Sequence, residues 1–158
     1  MSTKIKLTTV LEAMEISGDC DAYLNIGTGE TVIITPDVEA YCFDEDEEPE
    51  LDGKPEWLQE MIREAREAQD SDKYVPLPSR FEIDEWRMMR NFASMQDDEI
   101  REELLNAIHG RGAFRIFKML VGRLGLLEEW RAYRADAYRQ IAISWLEHHN
   151  LDYIEDEY

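Results

Sequence analysis

Apolar residues recur at helical spacing over most of this chain, and one short stretch near the N-terminus breaks the rule. In "LTTVLEAMEI", residues 7–16, Leu7, Val10, Leu11 and Met14 fall at i, i+3, i+4 and i+7, on one face of a helix. Gly18 is expected to stop it. The period then changes. "AYLNIGTGETVIITPD" carries β-branched runs on either side of Gly27-Thr28-Gly29, the pattern of a hairpin. Leu24 and Ile26 share one side of their strand, as do Val32 and Ile34 of theirs, and Pro36 closes the second strand. A lone hairpin is marginal in water, so this one has to lie on apolar neighbours.

Helical periodicity resumes after an acidic interruption, "FDEDEEPELDG" at 43–53, whose like charges repel and predict a solvated loop. A calcium loop is the alternative, but the glycine and glutamate that an EF-hand needs at its sixth and twelfth positions are misplaced. Pro55 suits the first turn of a helix to about Ala68, with Trp57, Leu58, Met61, Ile62 and Ala65 as its stripe. "YVPLPS" reads as a stiff extended connector. Asp84 is the expected N-cap of the next helix, with Ile83 and Met88 as a hydrophobic staple. Asp97 or Asp98 caps another, where Ile100, Leu104 and Ile108 share a face, and Gly110 is expected to end it in a left-handed conformation. A helix over about 112–124 follows, ended by Gly125. The last runs over about 127–149 with Asn150 as C-cap and Trp130, Tyr133, Ala137, Ile141 and Trp145 as its stripe.

These elements predict an α+β fold: a single, mostly α-helical domain with a small antiparallel β-hairpin packed on the helices. Its parts are an N-terminal helix and hairpin at 1–42, the acidic loop, a helical part at 55–150 and an acidic tail at 151–158 that is expected to fray. No internal repeat is present. A length of 158 residues suits one domain with a real core, and 44% apolar content sets the chain apart from disordered sequences.

Charge narrows the function classes. The formal net charge is −19, which repels phosphate backbones and anionic membranes unless the cations are segregated. Nucleic acid is therefore a disfavoured partner. "MSTKIKLTTV" lacks the long apolar run expected of a signal peptide, no window approaches the length of a membrane span, and Cys20 and Cys42 form no Cys-x-x-Cys pair. Two reduced thiols in a cytoplasmic protein are expected, with a disulfide across the hairpin region as the alternative.

Against this acidity, "HGRGAFRIFK" at 109–118 concentrates cations and glycines. It lacks the Lys-Ser/Thr ending of a P-loop, and Arg115 replaces the third glycine of a dinucleotide fingerprint. An anion held at a helix N-terminus near Gly112 and Arg111 remains open. The simpler reading, and the favoured one, is a tight corner between two helices. Beyond it, Phe114, Phe117, Val121 and Leu124 take the buried arc, while Arg111, Arg115, Lys118 and Gly122 form a row beside it. That row suits an anionic ligand or an acidic helix; pairing with carboxylates of Asp97–Glu103 or Glu128–Glu129 is the plainer alternative. Arg134 lies at the edge of the last helix's stripe and needs a carboxylate, carbonyl or aromatic face. It is read as a stem lying over the tryptophans, with a ligand clamp as the functional alternative.

Catalytic chemistry is absent from the pattern. His109 lies at a helix end, and His148 and His149 point apart on a helix. The cysteines and histidines match no zinc spacing, no nucleophile elbow occurs, and carboxylates are too many to single out a pair. No enzyme activity, catalytic residue, metal or cofactor is expected.

"YVPLPSRFEIDEWRMMRNFA", "GRGAFRIFK" and "WRAYRADAYRQIAISWLEHHNL" resemble a bacterial uncharacterised protein family, one of the UPF groups. The hairpin and acidic loop fit as well, so the likeness spans nearly the whole chain and is most specific at 110–118, a GxGAFRxFK segment, and at 130–146. It implies a small bacterial cytoplasmic protein. The family has no established activity, so no catalytic residue carries over. The leading expectation is a non-enzymatic protein-binding or regulatory module. Binding of a small anionic ligand, nucleotide or nucleic acid through Arg111, Arg115, Lys118 and Arg134 is the alternative. A polyanion mimic that occupies a basic site on a partner is the third.

Overall fold

In the computed structural model, which describes residues 4–17, 20–36 and 55–156, the fold is α+β and mostly helical. Contacts divide it into two compact units, Met1–Ser79 with Ala142–Tyr158, and Arg80–Ile141. The first begins with β1 (Ile5–Lys6) and α1 (Leu7–Ser17). Leu7, Val10 and Met14 of the expected stripe are buried, with Ala13 beside them. Gly18, Cys42 and the acidic loop lie outside the described residues. The hairpin forms as expected from β2 (Asp21–Asn25) and β3 (Thr31–Ile34). Its turn is closed by the Asn25 side chain, whose Oδ1 accepts from the N–H of Gly27 at 2.9 Å and of Thr28 at 3.3 Å. Gly29 supplies the left-handed residue, φ 79°.

The register Ala22↔Ile33 and Tyr23↔Val32 puts Ala22 and Leu24 on one face and Val32 and Ile34 on the other. Leu24 and Ile34 are both fully buried, so the sheet is covered on two sides. The helix α2 (Glu56–Asp70) covers one, where Ile62, Ala65 and Ala68 pack with Ile34. α1 packs on both hairpin strands. Trp57 departs from the expected stripe and is 61% exposed, because only the arc of Leu58, Met61, Ile62, Ala65 and Ala68 faces the sheet.

"YVPLPS" does more than connect. Residues Tyr74–Pro76 form β4, antiparallel to β2, so the expected hairpin is a three-stranded sheet in the order β3-β2-β4. Proline is tolerated because the strand lies at the sheet edge. The carbonyl of Pro76 accepts from Trp145 Nε1 at 3.0 Å, and the next residue, Leu77, donates its N–H to Ala22 at 2.9 Å.

In the second unit, α3 (Arg80–Ile83), α4 (Glu85–Ser94), α5 (Asp98–Ala107) and α6 (Ala113–Arg123) pack in succession with the first part of α7 (Leu127–His148). Asp84 caps α4 as expected, accepting from the Arg87 N–H at 3.2 Å, and Ile83 and Met88 are buried. Phe92, Phe117, Trp130 and Tyr133 make one ring cluster. Phe117 meets Trp130 edge-on, 4.9 Å between centroids, and Phe92 meets Trp130 at 5.4 Å. Each such contact adds about 0.5–1.5 kcal/mol beyond the area it buries.

Along α7 the buried path runs through Trp130, Tyr138, Ala142, Trp145 and Leu146, while Ala137 and Ile141 of the expected stripe are half-buried. The path shifts because the helix serves two cores, the ring cluster at one end and the Trp145 contact at the other. Asn150, φ 56°, ends it: the Leu151 N–H reaches the Leu146 carbonyl at 3.0 Å. The His149 ring lies one helical turn from Trp145, 4.9 Å away, and it meets His148 at 5.2 Å instead of pointing apart from it.

The tail does not fray over its described length. β5 (Tyr153–Ile154) pairs parallel with β1, and the Ile5 N–H donates to the Asp152 carbonyl at 2.9 Å. The Asp156 carboxylate then accepts from the backbone N–H of Thr8 at 2.9 Å and from its hydroxyl. These are donors of the first turn of α1, which has no acidic residue of its own there.

Two predictions follow from these ends and corners. The Asp156 carboxyl is held below its ordinary 3.8, first by the Thr8 hydroxyl and then by the Thr8 N–H. Its folded pKa is thus the lower one, so its contribution is complete above about pH 4 and lost as pH falls through the folded value. Asp156→Asn should lower the thermal midpoint at neutral pH, by a margin that closes on acidification; a margin independent of pH overturns the assignment. The second concerns the α5–α6 corner. Gly110 is not left-handed; Gly112 is, φ 71° and ψ 25°, and a Cβ on Gly110 would meet no atom within 4 Å. Denaturant titration of Gly112→Ala should show a loss of about 1–2 kcal/mol, and Gly110→Ala a change within about 0.5 kcal/mol.

Candidate protein-docking face

The corner that opens "HGRGAFRIFK" is built from backbone. α5 ends at Ile108 in a right-handed turn, where the His109 N–H reaches the Asn106 carbonyl at 3.4 Å. Trp86 of α4 fixes that end by donating its Nε1–H to the Ile108 carbonyl at 3.0 Å, and Arg90 lies 5.8 Å from the Trp86 ring. The chain then reverses through Gly112, whose carbonyl accepts the first helical bond of α6, from the Ile116 N–H at 3.0 Å. The left-handed conformation falls on Gly112, the residue that leads directly into the helix. At the other end Gly125, φ 74°, closes α6, with the Leu126 N–H on the Val121 carbonyl at 2.9 Å.

Between these stops the helix divides cleanly. Ala113, Phe117 and Val121 are buried, with Phe114 and Leu124 half-buried on the same side. Arg115, Lys118, Met119, Gly122 and Arg123 are exposed. Arg111 is exposed too, but it belongs to the turn that precedes the helix. Among the described residues, the side chains of Arg111, Arg115, Lys118 and Arg123 have no ion-pair or hydrogen-bond partner. The pairing with neighbouring carboxylates is therefore not made. Asp98 instead pairs with Arg101, one turn along its own helix, at 3.4 Å.

The reason is visible in the sequence. Residues 104–127 contain four Lys/Arg and no Asp or Glu, in a chain with 36 acidic residues. On a larger scale, Arg80–Ile141 holds eleven of the 17 Lys/Arg and eleven of the acids. That unit is formally neutral, and the other carries the whole −19. Exposed charges farther apart than about 8 Å are screened at physiological salt, so a group approaching α6 meets its local cations rather than the charge of the whole chain.

Arg134 has a different setting. It falls on the buried path of α7 and is half-buried, ion-paired with Glu85 of α4. Its guanidinium lies 4.3 Å from the centroid of the Tyr138 ring and donates to the Tyr138 hydroxyl at 3.0 Å. Both a carboxylate and an aromatic face answer its charge, the rings being a tyrosine and not the tryptophans. Among the described residues no group of three or more His, Cys, Asp or Glu could hold a metal ion, and no helix is long and apolar enough to cross a membrane.

What α6 can do chemically is offer fixed cations around an apolar centre. Met119 is 53% exposed, and a Cβ on Gly122 would meet nothing within 4 Å. A mid-helix glycine costs about 0.5–1 kcal/mol relative to alanine, and no neighbour in the fold requires one here. The space it leaves is open to an approaching backbone.

Neither a curated protein nor a solved structure matches the chain. The model of the uncharacterised protein family UPF0158 matches residues 4–158, and the chain, as its resemblance implied, belongs to that family.

Proposed function

We propose that this chain is a non-enzymatic protein-binding module that docks an acidic surface of a partner against the exposed side of α6. One observation carries the reading: four exposed cations stand without partners among the described residues, in the one long stretch from which acids are missing. Arg111, Arg115, Lys118 and Arg123 form a rim about Met119 and Gly122, the arrangement of an apolar contact ringed by steering charges. A protein is a better occupant than a nucleic acid. The chain's net charge of −19 disfavours an extended polyanion, whereas a compact acidic patch needs only the local cations of α6. Arg134 is left out of the face because Glu85 and Tyr138 already answer its charge. A reducing, cytoplasmic setting fits the free thiol of Cys20.

A second reading has its own support. Because the net charge lies outside Arg80–Ile141, the other unit, which carries all of it, suits a basic site on a partner. Substitutions in α6 leave such binding intact, which separates the two.

The test is affinity purification from the native cell with the wild type and with Arg111→Ala, Arg115→Ala and Lys118→Ala combined. The unfolding midpoint should move by no more than about 2 °C, since exposed cations without partners contribute little. A protein held by the wild type should be lost with the variant, and released from the wild type as salt rises. Equal recovery by both overturns the reading, as does retention abolished by nuclease.

A further inference from the structure

The acidic half of the molecule carries the counterpart of the α6 face. On α2, Ile62, Ala65 and Ala68 are buried against the sheet. The opposite side shows Glu56, Glu60, Glu64, Glu67 and Asp70, all exposed, and interrupted only by Arg63. Spaced by three or four residues, they form one stripe about 21 Å long at helical rise. Among the described residues none of these carboxylates has a side-chain partner. At the edge of the stripe stands Trp57, a large ring 61% exposed. Two unpartnered helix faces of opposite sign thus occur in one chain. The acidic one carries an uncovered ring, and the basic one has a side-chain-free position beside an uncovered methionine.

Resting on the docking reading above, we infer that the occupant of the α6 face is a second copy of this chain, which presents its α2. The acidic stripe lies along Arg115, Lys118 and Arg123, and Trp57 packs on Met119 in the space left by Gly122. Charge complementarity selects this occupant. A chain of −19 repels its copies in most orientations, and an approach that joins opposite signs sets the acidic α2 of one copy against the acid-free helix of the other. Alanine at position 122 meets no internal obstacle, so it should leave the fold intact while weakening the association.

Sedimentation equilibrium of the full chain at about 100 μM tests the inference. The wild type should show a mean mass above the 18.6 kDa of one chain, falling toward it as salt rises to about 1 M, where screening reaches about 3 Å. Arg115→Glu with Lys118→Glu should sediment as a monomer, and so should Glu60→Lys with Glu64→Lys. Mixing the two reversed proteins should restore association, because the acidic α2 of one then meets the basic α6 of the other. That recovery also shows that both variants fold. A wild type that stays monomeric overturns the inference, as do reversed proteins that still self-associate, or a mixture that stays at monomer mass. If the wild type is monomeric while capture of another protein still depends on Arg111, Arg115 and Lys118, the docking reading stands and the second copy is excluded.

Discussion

Carboxylates outnumber Lys and Arg by 36 to 17, and their mutual repulsion is the constraint that every part of this fold accommodates. Acids have to stay in water, so each helix is polar on one side and each core is almost wholly apolar. Ser17 is the one polar residue fully buried among those described, and its hydroxyl returns to the Met14 carbonyl on its own helix. Cations are the scarce resource. Arg134 is committed to Glu85, and Arg101 to Asp98. Leaving four others, Arg111 in the turn before α6 and three on it, without carboxylates among the described residues forgoes the small relief that each pair would give, on the order of 0–1 kcal/mol. A fold so short of positive charge and yet keeping these cations apart presents them outward.

The ring cluster makes that presentation firm. Helices of ten or eleven residues are marginal alone in water, and α4, α5 and α6 owe their order to packing. Phe117 and Val121 are fully buried, so the opposite face of α6 is fixed in rotation about its axis. The helix brings its cations to one side of the molecule before a partner arrives, so binding has to order their side chains but not the backbone that carries them.

Much of this was legible in the residues. The stripe at 7–14, the stripe at 57–65 apart from Trp57, the hairpin turn, the Asp84 cap and the stops at Gly125 and Asn150 are local signals, decided within one or two turns of chain. What escaped was long-range. Nothing within "YVPLPS" says that β2 has a free edge to receive it, and nothing in "DYIEDEY" says that Ile5 and Thr8 need partners. The choice between Gly110 and Gly112 turned on where the next helix begins, a matter of one turn. For the docking face, the spacing of Arg115 and Lys118 was readable but their lack of partners was not, because it depends on where the carboxylates of other helices end up. The absence of acids over 104–127 was the available clue.

The β1–β5 pairing and the Asp156 cap carry a consequence for synthesis. Residues 80–141 form a unit that is contiguous along the chain, and every helix it needs has left the ribosome before residue 142 does. The sheet unit is split: Ile5 waits for Tyr153, and Thr8 for Asp156, across nearly the whole translation of the chain. At about 5–20 residues per second, its N-terminal strand and helix remain without their last partners for several seconds after they emerge. The neutral unit therefore has all its residues before the acidic one does, and the acidic one is completed only when the last residues of the chain emerge.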